Sequence, residues 1–272
     1  MPPFTPKNTN KKVIVFGANG AIGTLLVEIL SNKQPKWQIA AVARSAGDKF
    51  KDMENVTVVP GDATDKSSVM ELAKDKDIVF CCIGFRKYEI KYWGETWPVV
   101  VDNLLAGSSQ EPEQKFVFCD NLYAYGSKTD IKPTDEPVEA NLLTKPGIRA
   151  VLRQKLQARM KSHPQSIAVV GGADFFGVGV TDSSFMGDTF TKAIVKKSTP
   201  LAMGSSSKIH DFCYAPDFAN ALYLAGTEYK ASGKFWICPH AIHNKTLKEI
   251  AQDIARNVAV AENDGGSDNV KT

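Results

Sequence analysis

The sequence predicts a doubly wound α/β fold: a mainly parallel sheet with helices on both faces and a small C-terminal lobe. Three observations carry this. Short apolar runs at 13–16, 37–43, 55–60, 77–82 and 115–119 read as buried strands. Helix-like segments with periodic apolar faces separate several of them. Three glycines at spacing three, Gly17, Gly20 and Gly23, follow the first run directly and open the first helix.

The first strand (VIVF) runs into Gly17-Ala18-Asn19-Gly20-Ala21-Ile22-Gly23 and then into a helix over 24–30. Strand, tight turn and helix form the unit that cradles a nucleotide diphosphate. Gly17 permits the sharp turn. Gly20 lets the backbone approach phosphates without a Cβ in the way, and Gly23 lets the helix sit close to the strand. The diphosphate would rest on backbone N–H groups at the positive end of the helix. Gly17, Asn19, Gly20, Ala21, Ile22 and Gly23 are therefore the candidate phosphate contacts. A glycine triplet alone is a weak signal, and a ligand-free turn is the plainer alternative; the strand and helix on its flanks favour the cradle.

Residues 37–43 (WQIAAVA) form the second strand, followed by Arg44 and Ser45. A carboxylate here would accept from the adenosine ribose hydroxyls of NAD, and the next one is only at Asp48. An arginine beside a serine offers a cation and a hydroxyl to a 2′-phosphate, so NADP(H) is preferred over NAD(H); a solvated loop arginine is the alternative. The third strand, 55–60, closes on Gly61-Asp62-Ala63-Thr64-Asp65. Asp62, with Ala63 beside it, is the candidate for the adenine amino group, and Asp65 is the expected cap of a helix beginning near Lys66. The fourth strand, 77–82, ends at Cys82-Ile83-Gly84, where a small residue lets the chain pass close to the cofactor ribose. Residues 93–108 read as a helix interrupted early by Pro98, with Val100, Val101, Leu104 and Leu105 facing the sheet. The fifth strand, 115–119, delivers Asp120-Asn121-Leu122-Tyr123-Ala124-Tyr125-Gly126 to the carboxyl edge, where such sheets bind substrate.

Bulk properties narrow the function classes. A chain of 272 residues can bury a full core, and a net charge of +3 with dispersed Lys and Arg gives no nucleic-acid stripe and no membrane-surface helix. The first residues are polar without an apolar signal core, and no apolar run is long enough to span a bilayer, so a cytoplasmic location is expected. The five cysteines lie mostly in apolar runs, as buried thiols of a reducing compartment do. His240 and His243 lack partners at metal-ligand spacing, so no metal site is expected.

From the glycine turn, the GDATD strand end and the Tyr125-Gly126 pair in order, the chain resembles the extended short-chain dehydrogenase/reductase superfamily, in its NAD-dependent epimerase/dehydratase branch. Residues 166–180 (SIAVVGGADFFGVGV) resemble that branch's strand and substrate loop, and 210–221 (HDFCYAPDFANA) its return to a helix. The resemblance covers roughly residues 12–258. It implies a Rossmann domain over 12–172, a substrate lobe over 173–258 drawing on segments near 174–215 and 234–258 and including segments that return to the Rossmann core, and flexible ends at 1–11 and 259–272. Within the lobe, Asp174 and Phe176 after the sixth strand, and His210 beside Asp211, are candidate substrate contacts; Phe175 reads as core. A helix over 246–258, capped by Thr246, would carry Leu247, Ile250, Ile254 and Val258 inward. The helices near 94–108 and 147–162 pair between subunits in relatives, which makes a homodimer the candidate assembly.

The chain departs from the family at its catalytic residues. The enzymes it resembles carry a serine or threonine after the fifth strand and a Tyr-x-x-x-Lys pair on the next helix. Here Asp120 or Asn121 stands for the serine, and Lys145-Pro146-Gly147-Ile148-Arg149 puts lysine in place of tyrosine and arginine in place of lysine. Tyr88 and Tyr92 lie too early in the chain to substitute. Tyr123 is the favoured proton donor, with Asn121 polarising the substrate oxygen. Arg149 is the remaining cation, and Asp120 is a base, a partner for Arg149 or a turn former. Tyr125 is a substrate-wall or packing residue. The reading is an NADP(H)-dependent oxidoreductase or epimerase acting on a small organic carbonyl or hydroxyl compound. The alternatives are an NADP(H)-binding redox sensor without catalysis, or a non-redox enzyme reusing the fold.

Overall fold

The computed structural model describes residues 10–44, 48–181, 184–201 and 204–263. Ser45 and the outer parts of both expected flexible ends lie outside them. The chain divides into two compact units, residues 1–171 with 216–238, and residues 172–215 with 239–272.

The first unit is built on a seven-stranded parallel sheet. In chain order its strands are β1 (Lys12–Phe16), β2 (Gln38–Ala43), β3 (Val56–Pro60), β4 (Ile78–Cys81), β5 (Lys115–Asn121), β6 (Ile167–Gly172) and a last strand over Lys234–Ile237. The sheet order places β3, β2 and β1 on one side and β4, β5, β6 and the last strand on the other. The direction of winding therefore reverses between β1 and β4, whose registers pair Val13 with Ile78 and Phe16 with Cys81. Such a reversal opens a crevice at the carboxyl ends of the strands. Near-continuous apolar runs form these strands because helices cover both faces: Val13, Ile14 and Val15 are fully buried, as are Phe116, Val117 and Phe118. The last strand, KFWI, pairs with β6, so residues 234–237 belong to this sheet and not to the C-terminal lobe expected from the sequence.

Helix α1 (Ala21–Lys33) begins three residues earlier than its apolar pattern suggests, because Ala21, Ile22 and Gly23 already adopt helical geometry on leaving the turn. Helix α2 (Lys66–Ala73) is capped by Asp65, whose side chain accepts from Ser67 N–H. Helix α3 (Ile90–Gly107) starts earlier than expected and runs on through Pro98, its ninth residue, which costs the helix one i→i−4 hydrogen bond without ending it. Its buried stripe begins at Trp93 and Trp97 and continues through Val100, Val101 and Leu104, with Leu105 only half-buried. Helix α4 (Lys145–Ser162) has Thr144 as N-cap, accepting from Gly147 N–H at 3.0 Å, and Pro146 in its first turn. Ile148, Leu152 and Leu156 face the core, with Val151 at its margin. Thr144 thus sets where α4 reaches the carboxyl edge of the sheet.

The second unit contains β7 (Asp174–Phe176) and β8 (Phe212–Tyr214), paired in parallel, with α5 (Asp188–Val195) and, after α6 (Ala215–Thr227) and β9 (Lys234–Ile237), helix α7 (Leu247–Asn263). Phe190, Ile194, Phe212, Leu247 and Ile250 form its core. Helix α7 opens on a capping box: Glu249 N–H donates to Thr246 Oγ1 at 3.2 Å, and Thr246 N–H donates to Glu249 Oε2 at 2.8 Å. It runs on to Asn263, so residues 259–263 are helical instead of part of a flexible tail; the alanine-rich end of the segment has no helix breaker.

Candidate active site

The glycine turn is an open cradle. Gly17 takes φ +82°, and a Cβ there would stand 2.6 Å from the Cys82 carbonyl oxygen, so only glycine lets the turn pass the end of β4. A Cβ at Gly23 would meet the Gly17 carbonyl at 2.2 Å, which fixes how close α1 sits to the turn. Gly20 serves as N-cap in an extended conformation without a side-chain bond. Its position leaves Ala21, Ile22 and Gly23 at the positive, uncapped end of α1. Thr24 Oγ1 donates to the Ala18 carbonyl at 3.0 Å and to that of Gly20 at 2.8 Å, holding the turn shut behind the amides. The residues therefore fit a dinucleotide: the cradle is a surface of backbone N–H groups that a side chain would fill.

Around this cradle the other expected contacts spread along the carboxyl edge. Arg44 is exposed at the end of β2. Lys49, which the sequence reading missed, reaches back to the Asn19 carbonyl at 3.5 Å and brings a second cation to the turn; its only signal was proximity to Arg44. Asp62 Oδ1 accepts from Thr64 N–H at 2.9 Å and from Thr64 Oγ1 at 2.8 Å, so the carboxylate shapes the loop after β3 as well as being available to a base. Asn103, buried on α3, donates to the carbonyls of Ala63 and Thr64 at 3.0 Å each and anchors that loop. Ile83 follows the buried Cys82 and is half-buried, and a Cβ on Gly84 would meet nothing within 4 Å.

The catalytic edge differs from its sequence reading in three respects. First, Asp120 and Asn121 extend β5 and do not follow it. Asp120 is 5% exposed and pairs with Arg149 of α4, Nη1 to Oδ1 at 3.2 Å, while Asn121 N–H donates to the same carboxylate at 2.8 Å. Burial pushes the Asp120 carboxyl above its ordinary value, and Arg149 opposes that push. A polar residue is tolerated in a buried strand here because a buried cation meets it. Second, Arg149 lies against aromatic rings, its guanidinium carbon 4.1 Å from the Trp97 ring centre and 5.1 Å from that of Trp93. Third, of the two readings left open for Tyr125, substrate wall or packing, burial favours packing: it is 4% exposed, lies beneath Arg153 at 5.2 Å, and is buried with Ala124 by the single turn over Tyr123–Tyr125.

Tyr123 stays half-buried at the edge. Its N–H donates to Asn121 Oδ1 at 3.1 Å, and its ring stacks on Trp93 at 6.3 Å and 22°. Its hydroxyl is hydrogen-bonded to that of Tyr88. Sequence spacing excludes Tyr88, but β4 and β5 are neighbours, and the segment after β4 folds over the end of β5. Trp93 Nε1 donates to the Lys87 carbonyl at 3.1 Å and fixes that segment, and the Tyr88 ring meets Trp93 edge-on at 4.9 Å. Lys145, standing where the family tyrosine would, places its ammonium 3.1 Å from the Tyr88 ring centre and 5.4 Å from that of Trp93. Burial lowers its pKa.

In the second unit His210 Nε2 and Asp174 Oδ2 lie 2.6 Å apart, and the His210 ring contacts Phe185 and Phe212. Asp211 instead pairs with His240 at 3.1 Å. The two residues lie just before strand β8 and take different partners. Phe176 lines a cavity of about 500 Å³ with Met186, Ile242 and Ile254. Among the described residues no cluster of His, Cys, Asp or Glu could hold a metal ion, and no helix is long and apolar enough to cross a membrane.

The family model described as NAD(P)H-binding matches residues 17–169, from the glycine turn to β6. Comparison with curated proteins gives no match. Among solved structures the chain is similar to dTDP-glucose 4,6-dehydratase from Bacillus anthracis, in complex with NAD, with a TM-score of 0.76 and 15% identity over 92% of this chain and 81% of that one. UDP-N-acetylglucosamine 4-epimerase from Bacillus cereus matches with a TM-score of 0.71 and 18% identity, over 92% of this chain and 82% of that one. UDP-glucose 4-epimerase from Thermotoga maritima, with UDP-glucose, gives 0.74 and 16%, over 91% and 82%. At these identities the likeness is one of fold, and it is the fold of the epimerase/dehydratase branch that the sequence motifs resemble.

Proposed function

The chain belongs to the NAD(P)H-binding family, and from that premise we propose that it is an NADP(H)-dependent oxidoreductase or epimerase acting on a carbonyl or hydroxyl carbon of a small organic molecule. The observation that carries this reading is the pairing of an open phosphate cradle with a tyrosine phenol held at the carboxyl edge of the same sheet. The backbone amides of Ala21, Ile22 and Gly23 would hold the diphosphate, with Gly20, whose own N–H donates to the Gly17 carbonyl at 3.1 Å, leaving room for its approach, and Asp62 would meet the adenine. Arg44 and Lys49 supply positive charge for a 2′-phosphate, which supports NADP(H) over NAD(H). When bound, the cofactor donates or accepts hydride at its nicotinamide.

The chain's own residues handle the proton. Tyr123 donates its hydroxyl proton to the substrate oxygen as that oxygen gains charge. Asn121, whose Oδ1 is engaged by Tyr123 N–H, offers its amide N–H to the same oxygen. Asp120 and Arg149 hold the end of β5 in place beneath them. Turnover of a panel of carbonyl compounds with NADPH tests the reading. Tyr123→Phe should lower kcat by about 100-fold, the usual worth of a positioned acid. An unchanged rate rejects Tyr123 as the donor.

A second reading is an NADP(H)-responsive sensor that does no chemistry. It is favoured by the commitment of Arg149 to Asp120 and to two tryptophan rings, which removes it from the ribose-holding role of the family lysine. Absence of turnover, together with a partner whose affinity follows the redox state of the cofactor, would select it.

A further inference from the structure

We infer that Tyr88 and Lys145 together replace the missing tyrosine–lysine pair: Tyr88 returns a proton to Tyr123, and the Lys145 ammonium lying on the Tyr88 ring stabilises the phenolate left behind. The inference rests on the catalytic reading above and names the residues that recharge its proton donor.

The geometry supports it from three elements. Tyr123 comes from the turn after β5, Tyr88 from the segment after β4 and Lys145 from the first residue of α4. The two hydroxyls are hydrogen-bonded to each other. Tyr88 is 50% exposed, so the pair connects the half-buried Tyr123 to water. Lys145 lies 3.1 Å from the centre of the Tyr88 ring, on its negative face. A lysine with only a solubilising role extends into water, whereas this one is drawn back against two aromatic rings, and burial lowers its pKa.

The charge balance around the phenols points to the same residue. On the Tyr88 segment, Lys87 and Glu89 face each other at 3.5 Å. From α4 and β5, Arg149 and Asp120 form the buried pair at 3.2 Å. Each pair cancels internally, whereas the Lys145 ammonium is seated directly on the Tyr88 ring. In the family arrangement tyrosine and lysine lie on one helix. Here the cation keeps the helix and the phenols come from two strand ends.

The proton steps balance. In the reducing direction a carbonyl carbon gains hydride from the reduced nicotinamide, and its oxygen takes the Tyr123 O–H proton. The Tyr123 phenolate takes the Tyr88 O–H proton across their hydrogen bond. The Tyr88 phenolate, facing the Lys145 ammonium, takes a proton from water. The net consumption is one hydride and one solvent proton for each alcohol formed.

Ultraviolet titration of tyrosinate in the unliganded protein tests this without any cofactor. The chain has seven tyrosines. In the wild type one ionisation should fall about one pH unit below the ordinary tyrosine value of about 10, because a hydrogen-bonded phenol and a nearby cation both favour the phenolate. This early step belongs to the pair, so Tyr88→Phe and Tyr123→Phe should each abolish it. Lys145→Met, which keeps the stem and removes the charge, should raise it by about one unit, while Lys145→Arg should retain it. A purely structural Lys145 would give the same titration in Lys145→Met and the wild type. An early ionisation that survives Tyr88→Phe, or none at all in the wild type, overturns the inference. Failure of the catalytic reading would appear separately, as absence of NADPH binding with the titration intact.

Discussion

Replacing Arg149 by methionine should expose how the β5 edge is held. The substitution keeps an apolar stem against Trp97 but leaves Asp120 buried with its side chain only 3% exposed. Two unit charges 3.2 Å apart at an effective dielectric of 20 attract by about 5 kcal/mol. Loss of one partner of a buried pair costs roughly 3–5 kcal/mol, because the surviving charge stays desolvated. Asp120→Asn in the same chain removes that charge, so the double variant should recover most of the loss. The expected coupling between the two sites is at least about 2 kcal/mol, within the range for residues in direct contact. Urea denaturation of the wild type, both single variants and the double variant measures it. The Asp120 carboxyl is already raised by burial, and losing Arg149 raises it further. A group with a raised folded-state pKa contributes stability below its unfolded value and loses it as pH climbs. The Arg149→Met deficit should therefore be smallest near the ordinary carboxylate value of about 3.9 and grow as pH rises from there toward 7. A deficit below about 1 kcal/mol, or purely additive single losses, would refute the argument that this pair anchors the site.

Arg44→Ala should weaken NADPH binding about 10-fold and leave NADH binding unchanged, since only the former presents a 2′-phosphate; fluorescence titration with both nucleotides checks this, and equal losses would point to a general charge effect. Lys115, buried at the start of β5 with its ammonium donating to the Glu228 carbonyl at 3.0 Å, has its pKa lowered to about 8 by burial. The unfolded chain binds that proton more tightly, so stability should rise with pH between about 8 and the unfolded value near 10.4. The wild type should therefore gain on Lys115→Met between those limits in paired denaturation curves, and a constant difference would contradict the assignment.

Much of the frame was legible because it is local. The VIVF run and the glycine spacing fix β1, the turn and α1 through backbone sterics, and a Cβ at Gly17 or Gly23 would collide with backbone. Asp65 and Thr246 announce their helices through side chains that satisfy the first amides. The site was less legible because its contacts are not local. Nothing in the residues beside Tyr88 shows that its hydroxyl meets Tyr123, thirty-five positions away; only the adjacency of β4 and β5 brings them together. In sequence Asp120 reads equally as a base, a partner for Arg149 or a turn former; only the packing of α4 against β5 brings Arg149, twenty-nine positions on, to its carboxylate. Trp93 and Trp97 fit a helix stripe by spacing, but their role as platforms for Arg149 and Tyr123 depends on how α3 and α4 pack.

Isothermal titration of NADPH into the folded protein tests the central claim, that the amides after β1 grip a dinucleotide. The expected result is a saturable heat with one site per chain, weaker for NADH than for NADPH. A folded protein that releases no heat with either nucleotide at millimolar concentration, weaker than about 4 kcal/mol of binding, would contradict it.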